Sequence, residues 1–172
     1  MGVSGTGKSS VANLLREKLK DCEFIEGDDF HSEENKKKMS AGIPLNDDDR
    51  TPWLLFLNDR LRCSTTLNTI VACSCLKLKY RKLFQSSKEK KDQLKFIYLY
   101  GKKELLEERI LKRKDHFAKI NLMESQFEDL EPPTSEELTQ NFLGKYNVED
   151  DLKTIVQKIL ISIQEYSPSL II

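Results

Sequence analysis

The residues at the start of the chain have the types and spacing of a phosphate-binding loop. The pattern is G-x-x-x-x-G-K-[ST], and its members are Gly2, Val3, Ser4, Gly5, Thr6, Gly7, Lys8 and Ser9. Glycine lets such a loop close tightly, so that backbone N–H groups turn inward beside the positive end of the next helix. In loops of this kind the lysine reaches the β- and γ-phosphates of a nucleotide and the hydroxyl ligates Mg²⁺. The pattern therefore predicts that all eight residues bind a nucleotide, with Lys8 acting in phosphoryl transfer and Ser9 holding Mg²⁺.

Two other interpretations of the same residues stay open. The first is a glycine-rich turn that binds nothing. The second is N-myristoylation, because Met1 and Gly2 with Thr6 also fit the acylation pattern. An acyl group on Gly2 would obstruct the phosphate cradle, so the two functions exclude each other.

Strands and helices that could position this loop alternate along the chain. Aliphatic side chains at helical spacing follow the loop at once, and β-branched or aromatic runs mark the strands. The predicted strands are 23–26, 69–73, 96–100 and 141–146, and the main predicted helices are 8–20, 33–39, 77–84, 104–113 and 148–163. This order predicts one α/β domain over residues 1–172, with a parallel sheet flanked by helices. The polar segment 112–133 is interpreted as a small lid.

The strand that normally leads into such a loop is missing from the sequence, because only Met1 precedes Gly2. In this class of sheet that strand is central and buried on both faces. Losing about four buried aliphatic side chains would remove roughly 6–12 kcal/mol, which is comparable with the net stability of a small domain. We therefore expect the chain as it stands to fold poorly and an aliphatic strand before Met1 to correct this.

Composition narrows the class of protein. The 172 residues include 28 basic and 28 acidic side chains, so the formal net charge is zero. A balanced charge disfavours nucleic-acid binding and membrane-surface binding, and no apolar run is long enough to cross a membrane. Four cysteines without a C-x₂-C pair favour reduced, buried thiols and a cytoplasmic location.

Several longer stretches together resemble the gluconokinase family, whose members are P-loop kinases that phosphorylate the 6-hydroxyl of D-gluconate. The stretches are Gly27-Asp28 with His31, P-L-N-D-x-D-R-x-P-W-L over 44–54, C-S-x-L-K-x-x-Y-R over 73–81, His116-Phe117, and Q-F-E-x-L-E-P over 126–132. The similarity extends from Met1 to about Leu160. It implies a three-layer fold like that of nucleoside monophosphate kinases, with ATP and Mg²⁺ as cosubstrates and a lid over ATP, and it suggests a homodimer.

The chemistry of a sugar acid indicates which side chains would bind it. A carboxylate needs cations, which Arg50, Lys77 and Arg81 can supply through charge-assisted hydrogen bonds. The hydroxyls need polar groups as hydrogen-bond partners, and four residues can supply them. They are Asp28, His31, Asn46 and Ser74.

Asp28 follows a predicted strand at the sheet edge where ligands bind in α/β folds, so we expect it to orient the 6-hydroxyl and accept its proton. Glu26 is an alternative contact to Mg²⁺ through water. Arg109 and Arg113 are four residues apart on one helix face and could neutralise the transferred phosphoryl group.

Alternatives remain at two levels. Arg50 could instead pair with Asp47 or Asp49 at a helix start, and His31 could be an ordinary loop histidine. For the whole chain, the rivals are another P-loop kinase acting on shikimate or a nucleotide, and a shortened form without activity.

Overall fold

The computed structural model describes residues 1–86, 94–112 and 116–170, with the side chains of 116–119 and 170 left outside the description. The described residues contain four strands: β1 (Cys22–Glu26), β2 (Asn68–Ala72), β3 (Phe96–Tyr100) and β4 (Phe142–Asn147). The helices are α1 (Lys8–Arg16), α2 (Glu33–Ser40), α3 (Asp47–Cys63), α4 (Leu78–Gln85), α5 (Lys103–Leu111), α6 (His116–Asp129), α7 (Ser135–Asn141) and α8 (Leu152–Tyr166). Two 3₁₀ turns cover Gly27–Phe30 and Pro168–Leu170.

The strands form two parallel pairs, which confirms the predicted α/β class. β1 pairs with β2 from Cys22 opposite Asn68 to Glu26 opposite Ala72. β3 pairs with β4, with one register shift after Phe96. All four predicted strands are therefore present. Each of their ends either agrees with the prediction or differs from it by one residue.

Met1 lies between the two strand pairs. Its amino group donates to Ile97 O, and its carbonyl accepts from Leu99 N, so it pairs with β3 as one residue of a parallel strand would. The next residue, Gly2, donates its N–H to Ser74 O, just beyond the end of β2. The phosphate-binding loop therefore starts at the carboxyl edge shared by β2 and β3.

Helices pack on this framework in two apolar clusters. One cluster joins α1, α5 and α8, with Leu15, Leu106 and Ile159 essentially without exposure. The other joins α3 and α4 and includes Leu57 and Tyr80. Within the described residues, no helix is long and apolar enough to cross a membrane.

Some helix boundaries differ from the sequence-based prediction. Helix α3 begins at Asp47, because Asn46 accepts from Asp49 N while the Asp49 carboxylate accepts from Asn46 N, which is a capping box. Asp49 and Thr51, which could also have capped this helix by residue type, lie inside it. The segment predicted as a lid contains α6, and α7 was not predicted.

The cysteines divide by environment. Cys73 and Cys75 are buried, Cys22 is half-buried, and all four thiols are free. Cys63 is exposed, so the prediction of a buried thiol is wrong at that position. Its place at the last residue of α3 explains this, because the apolar face of that helix is carried by earlier residues.

Candidate active site

The loop before α1 has the backbone shape that its glycines predict. Gly7 caps the helix with φ of 84°, a left-handed conformation that suits glycine. Gly2 has φ of 138°, and a Cβ there would lie 2.3 Å from Leu99 O. The loop therefore packs directly on β3, which leaves no room for a side chain at position 2.

Polar contacts hold this loop in place. The buried Thr6 hydroxyl donates to Val3 O at 2.8 Å. The Lys8 ammonium donates to the carbonyls of Gly2 at 2.9 Å and Val3 at 3.1 Å, so it lies across the loop that it is predicted to serve. Ser9 is exposed on the first turn of α1.

A side chain of α6 already contacts one of the loop amides. Ser4 N donates to the Gln126 carboxamide oxygen at 2.7 Å. This contact shows that the loop presents an N–H group to an outside oxygen acceptor. A phosphate oxygen is an acceptor of the same kind with more negative charge, so the loop fits a nucleotide phosphate.

Asp28 and His31 lie at the carboxyl end of β1, where the sequence predicts them. Asp28 is exposed in the 3₁₀ turn that follows the strand. The His31 ring stacks on Trp53 with centroids 4.0 Å apart, and the indole N–H of Trp53 donates to Gly27 O at 2.8 Å. Trp53 thus fixes the turn that carries both residues, consistent with a packing role.

The buried His31 ring has an unsatisfied polar atom. His31 is only 6% exposed, and its Nδ1 has no hydrogen-bond partner within the described residues. Burial lowers the pKa of His31, against the opposing effect of Asp28, so the ring is neutral near pH 7. A neutral ring nitrogen of this kind can exchange a hydrogen bond with a ligand hydroxyl.

Arg50 and Lys77 meet around one carboxylate. Arg50 Nη1 contacts Asp129 Oδ2 at 2.5 Å, and Lys77 Nζ contacts Asp129 Oδ1 at 2.9 Å. Lys77 also contacts Asp47 Oδ1 at 3.1 Å, and the Tyr80 hydroxyl donates to the same oxygen. The alternative pairing of Arg50 with Asp47 or Asp49 is therefore not what the structure shows.

The charges in this cluster are held firmly in their ionised forms. Partial burial works against ionisation of Asp129, but hydrogen bonds from Lys77 and Arg50 outweigh it and lower its pKa. Hydrogen bonds from Lys79 and Tyr80 hold the pKa of Asp47 well below its usual range. The Arg50–Lys77 pair is thus a site that already binds a carboxylate group.

Helix α6 connects the cationic pair to the phosphate-binding loop. Gln126 and Asp129 are three residues apart, which corresponds to about 4.5 Å along a helix axis. One contacts Ser4 of the loop and the other contacts Arg50 and Lys77. The anion-binding loop and the carboxylate-binding pair are therefore bridged by two side chains that start about one helical turn apart on α6.

Three further predicted residues are described, and none makes a contact that indicates a ligand. Asn46 is exposed, and its side-chain amide oxygen accepts from Asp49 N and caps α3. Ser74 is half-buried and accepts from Gly2 through its backbone. Glu26 is half-buried at the last position of β1.

The predicted arginines are not brought to the site together. Arg81 is 1% exposed, and it binds both carboxylate oxygens of Glu137 and the carbonyls of Leu76 and Glu131. Its guanidinium thus joins α4 to α7 and to the segment before α7, so we do not retain it as a substrate ligand.

Of the two arginines predicted to neutralise the transferred phosphoryl group, the structure describes one. Arg109 donates to Val148 O at 2.6 Å. Arg113 lies outside the described residues. The interpretation of 112–133 as a lid stays a prediction.

Asp129, Tyr80 and Gln126 were not singled out from the sequence. Tyr80 and Gln126 are specified positions of the stretches that carry the family resemblance, which was the available signal, but Asp129 stands at a position that the pattern leaves open. Their roles depend on contacts across 79 and 122 positions of chain, which no local pattern encodes.

The chain is similar in sequence and in structure to known gluconokinases. No protein-family model matches it. A probable gluconokinase of Dictyostelium discoideum is 43% identical over 165 residues, covering 92% of this chain and 82% of the relative. The thermoresistant gluconokinase of Escherichia coli K12 is 43% identical over 139 residues, covering 80% of this chain and 77% of the relative. The crystal structure of a gluconokinase from Sinorhizobium meliloti 1021 superposes with a TM-score of 0.82 at 39% identity, covering 98% and 91% of the two chains.

Proposed function

Because the chain belongs to the gluconokinase family, we propose that it transfers the γ-phosphoryl group of ATP to the 6-hydroxyl of D-gluconate. The observation that carries this proposal is the Arg50–Lys77 pair, which binds a carboxylate within about a helical turn of the phosphate-binding loop. The products are 6-phospho-D-gluconate and ADP.

The carboxylate of gluconate takes the place of the Asp129 carboxylate on Arg50 and Lys77. Both cations then make charge-assisted hydrogen bonds to the substrate, which fixes one end of the sugar chain. The hydroxyl groups between the two ends meet His31 Nδ1, Asn46 and Ser74. Binding at two ends orients the 6-hydroxyl toward the loop, which lowers the entropy cost of reaching the reactive geometry.

Asp28 accepts the proton of the 6-hydroxyl as that oxygen attacks. Its exposed position at the carboxyl end of β1 leaves the carboxylate open to a substrate. Lys8 and the loop N–H groups offset the negative charge on the phosphates during transfer. Arg109 and Arg113 stay candidates for neutralising the negative charge on the transferred phosphoryl group.

A magnesium ion bound with ATP neutralises phosphate charge in this reaction class. Within the described residues, no group of three or more His, Cys, Asp or Glu side chains is arranged to hold a metal ion. Mg²⁺ commonly keeps only one or two protein ligands and takes the rest from phosphates and water. The Ser9 hydroxyl on the first turn of α1 suits that role, with Glu26 as a second contact through water.

A substrate panel tests this proposal. The purified protein is supplied with MgATP and, separately, gluconate, shikimate, AMP, CMP or D-glucitol, and ADP release is followed. D-glucitol keeps the alcohols of gluconate but replaces its carboxylate by an alcohol, so it reports on the cationic pair. We expect turnover with gluconate alone. Turnover with shikimate or a nucleotide and none with gluconate would contradict the proposal.

Two further points stay predictions of the family resemblance. A homodimer would be seen as twice the chain mass by size-exclusion chromatography with light scattering. A cytoplasmic location would be seen by fractionating cells that express the protein.

A further inference from the structure

Helix α6 fills part of both proposed substrate subsites with its own side chains. Gln126 Oε1 accepts from Ser4 N of the phosphate-binding loop at 2.7 Å. The Asp129 carboxylate contacts Arg50 Nη1 at 2.5 Å and Lys77 Nζ at 2.9 Å. The amide oxygen lies where a phosphate oxygen of ATP would accept, and the carboxylate lies where that of gluconate would bind. The last turn of α6, which carries both side chains, therefore offers the protein one polar group in place of each substrate.

The cation pair does not need Asp129 to keep its arrangement. Lys77 Nζ also contacts Asp47 Oδ1 at 3.1 Å, and Arg50 Nη1 donates to the Tyr80 hydroxyl at 3.3 Å. Tyr80 in turn donates to Asp47, so contacts within α3 and the start of α4 hold both cations. Asp129 comes from a separate helix and can leave without dispersing the pair. An incoming carboxylate then meets cations that are already in position.

Gluconate and Asp129 compete for the pair, because the place has room in charge for one carboxylate. The side chain of Asp129 is 24% exposed and that of Arg50 is 9% exposed, so two carboxylates there would repel each other with little water to screen them. An aspartate side chain is short, and rotating it leaves the second charge close to the first. Relief of the repulsion therefore requires the last turn of α6 to move away from α3.

The two contacts of this turn are joined mechanically. Gln126 and Asp129 are three residues apart, which places them on one face of the helix. Both ends of the segment are fixed, since Met123 is fully buried in the apolar core and Glu131 N donates to Leu76 O at 3.1 Å. A shift is thus confined to the residues between these points. When Asp129 leaves the cations, Gln126 moves with it and releases the loop N–H.

We propose that the last turn of α6 is an internal competitor for both substrates, and that its release makes the binding of ATP and of gluconate cooperative. Gluconate that displaces Asp129 frees the loop N–H for a phosphate oxygen, and ATP that displaces Gln126 weakens the hold of Asp129 on the pair. The coupling is reciprocal, because each ligand shifts the same two-state element. This inference rests on the function proposed above, since it takes gluconate and ATP as the ligands.

Calorimetric titration of the unaltered protein and three variants tests the inference. AMPPNP, a non-hydrolysable analogue of ATP, is titrated with Mg²⁺ in the presence and absence of saturating gluconate, and gluconate is also titrated alone. Asp129→Asn and Gln126→Ala each remove one competing group. Glu128→Gln, at an exposed position between them, is the control. Gln126→Ala leaves no charge unpaired, so it keeps the test decisive where Asp129→Asn folds poorly.

We expect gluconate to tighten AMPPNP binding about fivefold or more in the unaltered protein and in Glu128→Gln, but less than about twofold in the other two variants. Asp129→Asn should bind gluconate alone about tenfold or more tightly than the unaltered protein, because its cations lack a partner. Gln126→Ala should bind AMPPNP alone about 2- to 10-fold more tightly, which corresponds to one hydrogen bond that no longer has to be broken.

Three results would overturn the inference: no coupling in the unaltered protein, coupling that persists in both site variants, or unchanged or weaker gluconate binding to Asp129→Asn, as a purely structural role would give. Weaker AMPPNP binding to Gln126→Ala would overturn it as well. The proposed function stands in each of these cases when the unaltered protein still phosphorylates gluconate. Unaltered protein that neither binds nor phosphorylates gluconate would contradict the proposed function, and this inference with it.

Discussion

Arg50 is the residue on which substrate selection depends most. It is buried, and it contacts a carboxylate and the Tyr80 hydroxyl. Replacing it removes a charge-assisted hydrogen bond to the gluconate carboxylate, and such bonds contribute about 1.5–3 kcal/mol. We therefore expect Arg50→Gln to raise the KM for gluconate by roughly 10- to 100-fold, with a smaller effect on kcat.

Arg60→Gln is the matched control in steady-state kinetics, because Arg60 is an exposed arginine of the same helix that pairs with Glu23. Lys77→Gln should reproduce the KM effect without removing the buried guanidinium. An unchanged KM in both site variants would show that the carboxylate binds elsewhere.

Asp28 is assigned to the reacting hydroxyl rather than to substrate affinity. Asp28→Asn keeps the size and hydrogen-bonding capacity of the side chain but cannot accept the proton. We expect kcat to fall by about 100-fold or more, while the KM for gluconate changes little. The neighbouring exposed variant Asp29→Asn serves as control, and a kcat loss of similar size there would contradict the assignment.

At the scale of elements, α6 is the part that sequence patterns described least. Its contacts to Ser4 and to the Arg50–Lys77 pair join three separate segments of the chain. By contrast, the phosphate-binding loop, the four strands and the position of Asp28 follow from local patterns: a fixed glycine spacing, β-branched runs and the end of a strand. Arg81 shows the limit of such patterns, because only the fold reveals that Glu137 and two carbonyls already bind it.

The contact between α6 and α3 should contribute to stability as well as to binding. Asp129→Asn removes the charge opposite Arg50, whose side chain is 9% exposed. Leaving a buried cation without its partner costs about 3 kcal/mol or more, which corresponds to a Tm decrease of roughly 6–12 °C for a chain of this size. Glu128→Gln, at an exposed neighbouring position, is the control in thermal unfolding. Equal Tm values for the two variants would mean that the ion pair adds nothing.

At the scale of the whole molecule, the position of Met1 makes stability depend on pH. The amino group is protonated below about pH 8 in the unfolded chain, but in the folded chain only below about pH 5. Between these values the unfolded state binds more protons, so the free energy of unfolding of a chain beginning at Met1 rises with pH. The total increase in the free energy of unfolding is on the order of 4 kcal/mol, and it is complete near pH 8.

Urea unfolding at intervals from pH 5 to pH 8 measures this dependence. Lys8, Cys73 and Cys75 are the ionisable groups around the amine, and the buried His31 changes stability with the same sign in the lower part of the range. Acetylation of the N-terminus removes the amine and leaves His31, so the acetylated chain should show a much smaller slope. Identical slopes for the two forms would contradict the burial of the amine.

The sequence also led us to expect a strand before Met1, and this stays a prediction. Only Met1 stands before Gly2, and a phosphate-binding loop is normally entered from a buried strand. Whether a chain beginning at Met1 folds poorly stays a prediction as well, and the cooperativity of its thermal unfolding tests it.

The central claim is that a cationic pair holds a sugar acid while the glycine loop presents ATP to its far hydroxyl. The most direct measurement is an NMR analysis of the products formed from MgATP by folded protein, with 6-¹³C-gluconate and 6-¹³C-glucitol offered together. We predict phosphorus coupling on carbon 6 of gluconate and unchanged glucitol. Unmodified gluconate, or equal phosphorylation of both compounds, would contradict the claim.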